Sequence, residues 1–146
     1  MIQSKISERL ALVSRIAPQS INATSVTSAY VAPSVLGKFG RLIAIAQLGE
    51  NSTGDVTVSL VKASDDSGAN AEVMSTADAL AAAAGDNKDV MLNFDVAGVD
   101  TLKPYVALRI TVSSSTCLVA GSVLAADGRY EPASDHNAAS VSQVVN

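Results

Sequence analysis

Three stretches of this chain place an apolar side chain at every second position, a period that suits strands and not helices. Val56, Val58 and Leu60 alternate with Thr57 and Ser59. Val90, Leu92, Phe94 and Val96 alternate with Met91, Asn93 and Asp95, and Val106, Leu108, Ile110 and Val112 alternate with Ala107, Arg109 and Thr111. Successive side chains of a strand point to opposite faces, so each stretch has one face for a core and one for water. An amphipathic helix would need apolar positions three and four apart.

The segments between these stretches read as further strands and turns. Thr24–Val31 is rich in β-branched residues and is closed by Pro33. Leu42–Leu48 is apolar on both faces, as a central or an interface strand would be. Gly49–Gly54 and Asp65–Asn70 are dense in turn formers, and Gly37-Lys38-Phe39-Gly40 reads as the turn leading into the Leu42 strand. Thr76–Ala84 stays open between a short alanine-rich helix and a strand. Ser113–Thr116 reads as a polar hairpin tip, and a last strand runs from about Thr116 to Leu124. Many short strands with no βαβ rhythm predict an all-β fold, a β-sandwich or jelly roll.

Outside that body the period changes. Ile6, Leu10 and Val13, widened by Leu12 and Ile16, form a helical stripe that Ser4 or Ser7 would cap and Pro18 would end. The expected organisation is a short N-terminal helical arm (1–17), a sandwich (18–132) and an extended C-terminal tail (133–146) whose Val141, Val144 and Val145 would dock.

With 146 residues the chain is one domain long. Apolar residues make up 48% and charged residues only 16%, short of the ~25% usual in soluble domains. So little charge points to a surface partly covered by other protein. Aromatics at 3% speak against sugar-binding and base-stacking surfaces, and a net charge of −4 speaks against nucleic acid. No run approaches the ~20 apolar residues of a membrane span. Charges at Lys5, Glu8 and Arg9 interrupt the place where a signal peptide needs its apolar stretch, which predicts synthesis in the cytoplasm. The sequons at Asn22 and Asn51 are then chance matches.

No reacting constellation emerges. Asp135-His136 has neighbouring side chains that rarely face each other productively and no supporting serine elbow. Asp65-Asp66-Ser67-Gly68 lacks the alternating ligands and distal Glu of a calcium loop. The Gly37–Gly40 turn lacks the Lys-Ser/Thr of a phosphate cradle. Cys117, the single cysteine, lies in an apolar run and reads as a small buried hydrophobe. The expectation is no enzyme, no catalytic residue, no cofactor and no metal.

In order, the pieces Glu8-Arg9-Leu10-Ala11-Leu12-Val13, Ile21-Asn22-Ala23-Thr24-Ser25-Val26-Thr27 and Gly40-Arg41-Leu42 are familiar. So are Val56-Thr57-Val58-Ser59-Leu60 with Gly68-Ala69, Tyr105-Val106-Ala107-Leu108-Arg109, and Arg129-Tyr130-Glu131-Pro132-Ala133 with Asp135-His136. Together with the length and the Ala/Val/Ser/Thr texture, their order resembles the capsid cement, decoration or head-stabilisation proteins of tailed bacteriophages. The resemblance implies a sandwich or jelly roll that forms dimers or trimers on the outside of the head, bridges major capsid proteins, and grips the shell with its termini. It places the protein on the virion, with the major capsid protein and itself as partners and neither nucleic acid nor membrane among them. Candidate interface residues are Ile6, Leu10, Val13, Ile43, Ile45, His136, Val141, Val144 and Val145. Competing readings are another phage component of tail, neck or fibre, a lectin-like binding module, and a small β-barrel enzyme.

Overall fold

A computed structural model describes residues 9–51, 53–81 and 86–128. Among the described residues eight strands carry the architecture: β1 (Ala11–Asn22), β2 (Ser25–Thr27), β3 (Arg41–Asn51), β4 (Val56–Ala63), β5 (Glu72–Thr76), β6 (Asp89–Asp95), β7 (Tyr105–Val112) and β8 (Thr116–Ala126). They form two antiparallel sheets, β1-β8-β3-β6 and β2-β7-β4-β5. First pairs with last, second with seventh, third with sixth, and fourth with fifth. That nesting is a jelly roll, a two-sheet sandwich in which only β4 and β5 are consecutive neighbours in one sheet.

The three alternating stretches become β4, β6 and β7, with the expected side of each turned inward. Val56, Val58, Leu60, Leu92, Val106, Leu108, Ile110 and Val112 are buried in one core. From the sheet of Leu92, opposite β4 and β7, β3 and β8 contribute Leu42, Ala44, Ala46, Leu48, Cys117, Val119, Val123 and Ala125. Each large aliphatic side chain so buried stabilises by roughly 1.5–3 kcal/mol before chain entropy opposes it. Small residues on β3 and β8 let the sheets approach. At Gly121 an added Cβ would lie 2.6 Å from Leu108 Cδ2.

The expected N-terminal helix through Leu10, Val13 and Ile16 is overturned. Ala11–Asn22 is an edge strand paired with β8, so the sandwich begins well before residue 18. Two bulges disguise its period: Val13 is an extra residue between Leu12 and Ser14, and the register slips again between Ile16 and Gln19, where Pro18 sits. An extra residue in a period-two pattern mimics spacings of three and four, which is why the stripe looked helical. Ile6 lies outside the described residues, as do His136, Val141, Val144 and Val145 of the expected tail.

Other elements settle smaller questions. The one short α-helix described in full, α1 (Pro33–Leu36), carries Pro at its first turn and sends Leu36 into the core beside Phe39. Leu80 pairs with Val56 in an isolated bridge, so residues 77–81 run extended along β4 and not as a helix. Ser113–Ser115 is not a hairpin tip, because β7 and β8 belong to different sheets; it crosses the end of the sandwich.

That end is held by Asn51, which is 1% exposed. Its Nδ2 donates to the Gly54 carbonyl at 2.9 Å, and its backbone N–H donates to Asp86 Oδ1 at 2.6 Å. Ser115 Oγ stands 2.9 Å from Asn51 Oδ1 and 2.6 Å from the Thr53 carbonyl. Gly54, at φ +87°, has no room for a side chain against Ser114. Buried Ser14 donates to the Ala29 carbonyl at 2.5 Å, and Ser28 Oγ accepts the Leu108 N–H at 3.1 Å. Among the described residues no buried side-chain nitrogen or oxygen lacks a partner.

Candidate functional site

The two sheets present very different faces to the outside. On the β2-β7-β4-β5 sheet the outward rows are Ser25–Thr111–Thr57 and Thr27–Arg109–Ser59–Thr76. Hydroxyls satisfy one another there: Ser25 Oγ lies 2.8 Å from Thr111 Oγ1, and Arg109 Nε donates to Thr27 Oγ1 at 3.2 Å. Farther along, Val61, Ala63 and Ala107 are fully buried although they stand outside the main core cluster. Near the same end the Tyr30 ring packs on Gly68, within 2.8 Å of where a Cβ would stand. Lys62 bridges Asp100 at 3.1 Å, and Lys103 pairs with Glu72. The Lys103 ammonium holds the Glu72 carboxyl below its usual value. A backbone N–H from Leu102, then Lys62, does the same for Asp100. The polar and charged groups named here pair within the face, and Val73 of β5 is an exposed apolar side chain on it, 56% exposed.

The outward face of the β1-β8-β3-β6 sheet is different. One cross-strand row reads Leu12–Leu124–Ile43–Asn93, and the next reads Arg15–Ser122–Ile45–Met91. A third joins Ala120, Gln47 and Asp89. Ile43, Ile45 and Leu124 are half-buried, while Met91 is 60% exposed and Leu118, farther along β8, is 60% exposed. The result is an apolar stripe across the middle of a sheet, with Arg15 at the β1 margin and Asp89 and Asp95 at the β6 margin. At one end Arg41 pairs with Asp127 at 2.7 Å beside a shallow hollow of about 390 Å³. A second hollow of about 280 Å³ lies by Leu118 and Pro18.

Ile43 and Ile45, expected at an interface, therefore do point outward and share one face. Val13 does not join them; it is the bulge residue and packs on the core. Leu10 precedes β1 and is half-buried. Sequence reasoning missed Met91, Leu118 and Leu124. Their signal was present, since β8 carries Leu118, Ala120 and Leu124 on one side and Cys117, Val119 and Val123 on the other.

Of the residues weighed for chemistry, Asp135 and His136 lie outside the described residues, and Asp65 and Cys117 stand apart from the stripe. Asp65 Oδ1 accepts N–H bonds from Ser67 at 3.0 Å and Ala69 at 2.9 Å, and these with the Ser67 hydroxyl depress its pKa. Its carboxylate is occupied by its own loop. Cys117 is fully buried, and burial pushes its thiol pKa up. Among the described residues no three His, Cys, Asp or Glu side chains stand together as metal ligands, and no helix is long and apolar enough to cross a membrane.

No protein-family model and no curated protein matches the chain. Solved structures do resemble it. A subunit of Bacillus endospore appendages, disulfide-linked pili, is 11% identical with a TM-score of 0.44; the likeness covers 88% of this chain and 99% of that one. The CBM22-1–GH10 modules of Clostridium thermocellum xylanase 10B are 12% identical with a TM-score of 0.41, covering 80% of this chain and 26% of that one. A chain of infectious bursal disease virus, Gx strain, is 16% identical with a TM-score of 0.39, covering 85% and 33%. Likenesses this distant assign neither a family nor a role.

Proposed function

We propose that this chain is a structural virion protein, a capsid cement or decoration protein that binds the outside of a phage head and bridges major capsid subunits. The observation that carries the reading is the apolar stripe of Leu124, Ile43, Ile45 and Met91 on the outside of a charge-poor, aromatic-poor jelly roll. Such a face is satisfied by other protein. The ordered resemblance to head-stabilisation proteins supports the kind of partner. In this reading the protein works by contact and not by catalysis. It uses no cofactor or metal and binds neither nucleic acid nor membrane. Its partners are the major capsid protein and copies of itself, as dimer or trimer, and its place is the capsid surface after synthesis in the bacterial cytoplasm.

The mechanism follows from mass action. Individually modest contacts gain from neighbouring sites on one shell, because attachment at one raises the effective concentration at the next. A protein that binds only the expanded shell stabilises that state, by about 2.7 kcal/mol per site at a hundredfold excess over Kd. The test is addition of purified protein to shells assembled without it. Saturable binding at a fixed ratio, with a raised disruption temperature of the shell, is the expected result. Shells that neither bind the protein nor gain stability would remove the proposal.

A further inference from the structure

We propose that the outward face of the β1-β8-β3-β6 sheet takes a second copy of this chain, the two sheets meeting about a two-fold axis that runs along the strands between β8 and β3. This rests on the reading above that the face is a protein contact, and it commits that contact to self-association.

The argument is the complementarity of the face with itself. Across the sheet the columns run β1, β8, β3, β6. A half-turn about an axis parallel to the strands reverses the column order and keeps each row in place, so β1 of one copy lies over β6 of the other and β8 over β3. In the first row Leu124 of each copy meets Ile43 of the other. In the second row a small residue, Ser122, meets a large one, Ile45. Arg15 of each copy lands over Met91 of the other, with Asp89 one row along. The arginine stem covers the exposed Met91 side chain, and its guanidinium reaches the Asp89 carboxylate.

Within one chain these two charges cannot meet. Arg15 and Asp89 stand three strands apart, at least about 14 Å at ~4.8 Å per strand. Neither forms an ion pair among the described residues. An axis perpendicular to the strands would instead set β6 over β6 and bring the Asp89 and Asp95 carboxylates toward their own copies, which like-charge repulsion disfavours. The face measures roughly 440 Å² in plan, from four strands at about 4.8 Å and some seven residues at about 3.3 Å. That is near half of the ~800 Å² per partner of a stable complex, so free chains pair weakly and reversibly.

The test is sedimentation velocity of the full chain over a wide concentration range, with circular dichroism to verify folding of each variant. The wild type is expected to dimerise on concentration. Arg15→Glu alone and Asp89→Arg alone each weaken the dimer by at least about tenfold, since each sets like charges together at both margins. Mixed in equal amounts, the two variants regain a heterodimer of near wild-type affinity, because every substituted position then meets its opposite charge in the other chain. The R15E/D89R double variant recovers a homodimer for the same reason. A wild type that stays monomeric, single variants that dimerise unimpaired, or a mixture that fails to recover each overturns the pairing. Addition to shells is scored separately. A monomer that still adds to shells overturns the pairing and leaves the decoration role standing, whereas a dimer that ignores shells does the reverse.

Discussion

A close approach of the two sheets offers a quantitative test of the packing. Gly121 of β8 faces Leu108 of β7 so closely that an added Cβ would stand 2.6 Å from Leu108 Cδ2 and 3.3 Å from the Ile45 carbonyl oxygen. Carbon atoms pack best at about 3.5–4.0 Å, so the methyl of Gly121→Ala overlaps Leu108 by roughly 1 Å. Overpacking of this kind costs about 1–3 kcal/mol, and a stiffer unfolded chain returns about 0.4–1 kcal/mol. The expected net loss is about 1–2 kcal/mol. Leu108→Ala removes a fully buried side chain and costs about 3–4 kcal/mol, cavity included. In the double variant the new methyl no longer overlaps anything on β7 and fills part of the void, a gain of about 0.8 kcal/mol. The singles therefore sum to about 5 kcal/mol while the double loses about 3, a coupling near 2 kcal/mol. Urea unfolding measures all four proteins, and each kcal/mol moves Tm by about 2–4 °C in a chain of this size. Losses that add to within about 0.5 kcal/mol would show that Gly121 and Leu108 do not share space.

Three further outcomes follow from other sites. Asn51→Ala strips the acceptor of Ser115 and the donor to the Gly54 carbonyl, and should lower the urea-derived stability by about 1–3 kcal/mol; an unchanged midpoint would mean that the end of the sandwich is held otherwise. Glu72 and Asp100 have folded pKa values depressed below 4.5 and 3.8, so their contribution is present above those values and fades as pH falls through the lower folded ones. Urea midpoints between pH 7 and pH 2 should show that loss, and K62M/K103M should remove the Glu72 share while leaving what the Leu102 N–H gives Asp100; an identical pH profile in the variant refutes the assignment. The buried Cys117 thiol, with its raised pKa, should react with an aromatic disulfide reagent only as fast as the protein opens. Rapid labelling of the native chain at neutral pH would contradict its burial.

Sequence alone was enough for β4, β6 and β7, where one residue occupies each step and the period is clean. It identified the inward and outward side of each, and it named Ile43 and Ile45 together as contact candidates while leaving their strand either central or interfacial. It failed at β1, because Val13 and the Ile16–Gln19 slip insert extra residues that shift the period toward that of a helix. Ser113–Ser115 misled for a topological reason: a short polar turn looks the same whether it joins neighbours in one sheet or carries the chain to the other. The margins of the candidate face were illegible for the same reason. Arg15 and Asp89 are 74 positions apart in the sequence, and only the order β1-β8-β3-β6 sets them on opposite borders of one surface.

The slip at Pro18 matters beyond register. β1 lies at the border of its sheet, where an unblocked strand would offer a row of amides and carbonyls to any passing chain. Proline has no amide hydrogen to offer, and the bulges break the straight run that a foreign strand would need to zip alongside. Along this border, growth by endless lateral addition is closed off. On this side of the protein, association is left to the broad face of the sheet, whose geometry can end in a finite assembly and not a fibre.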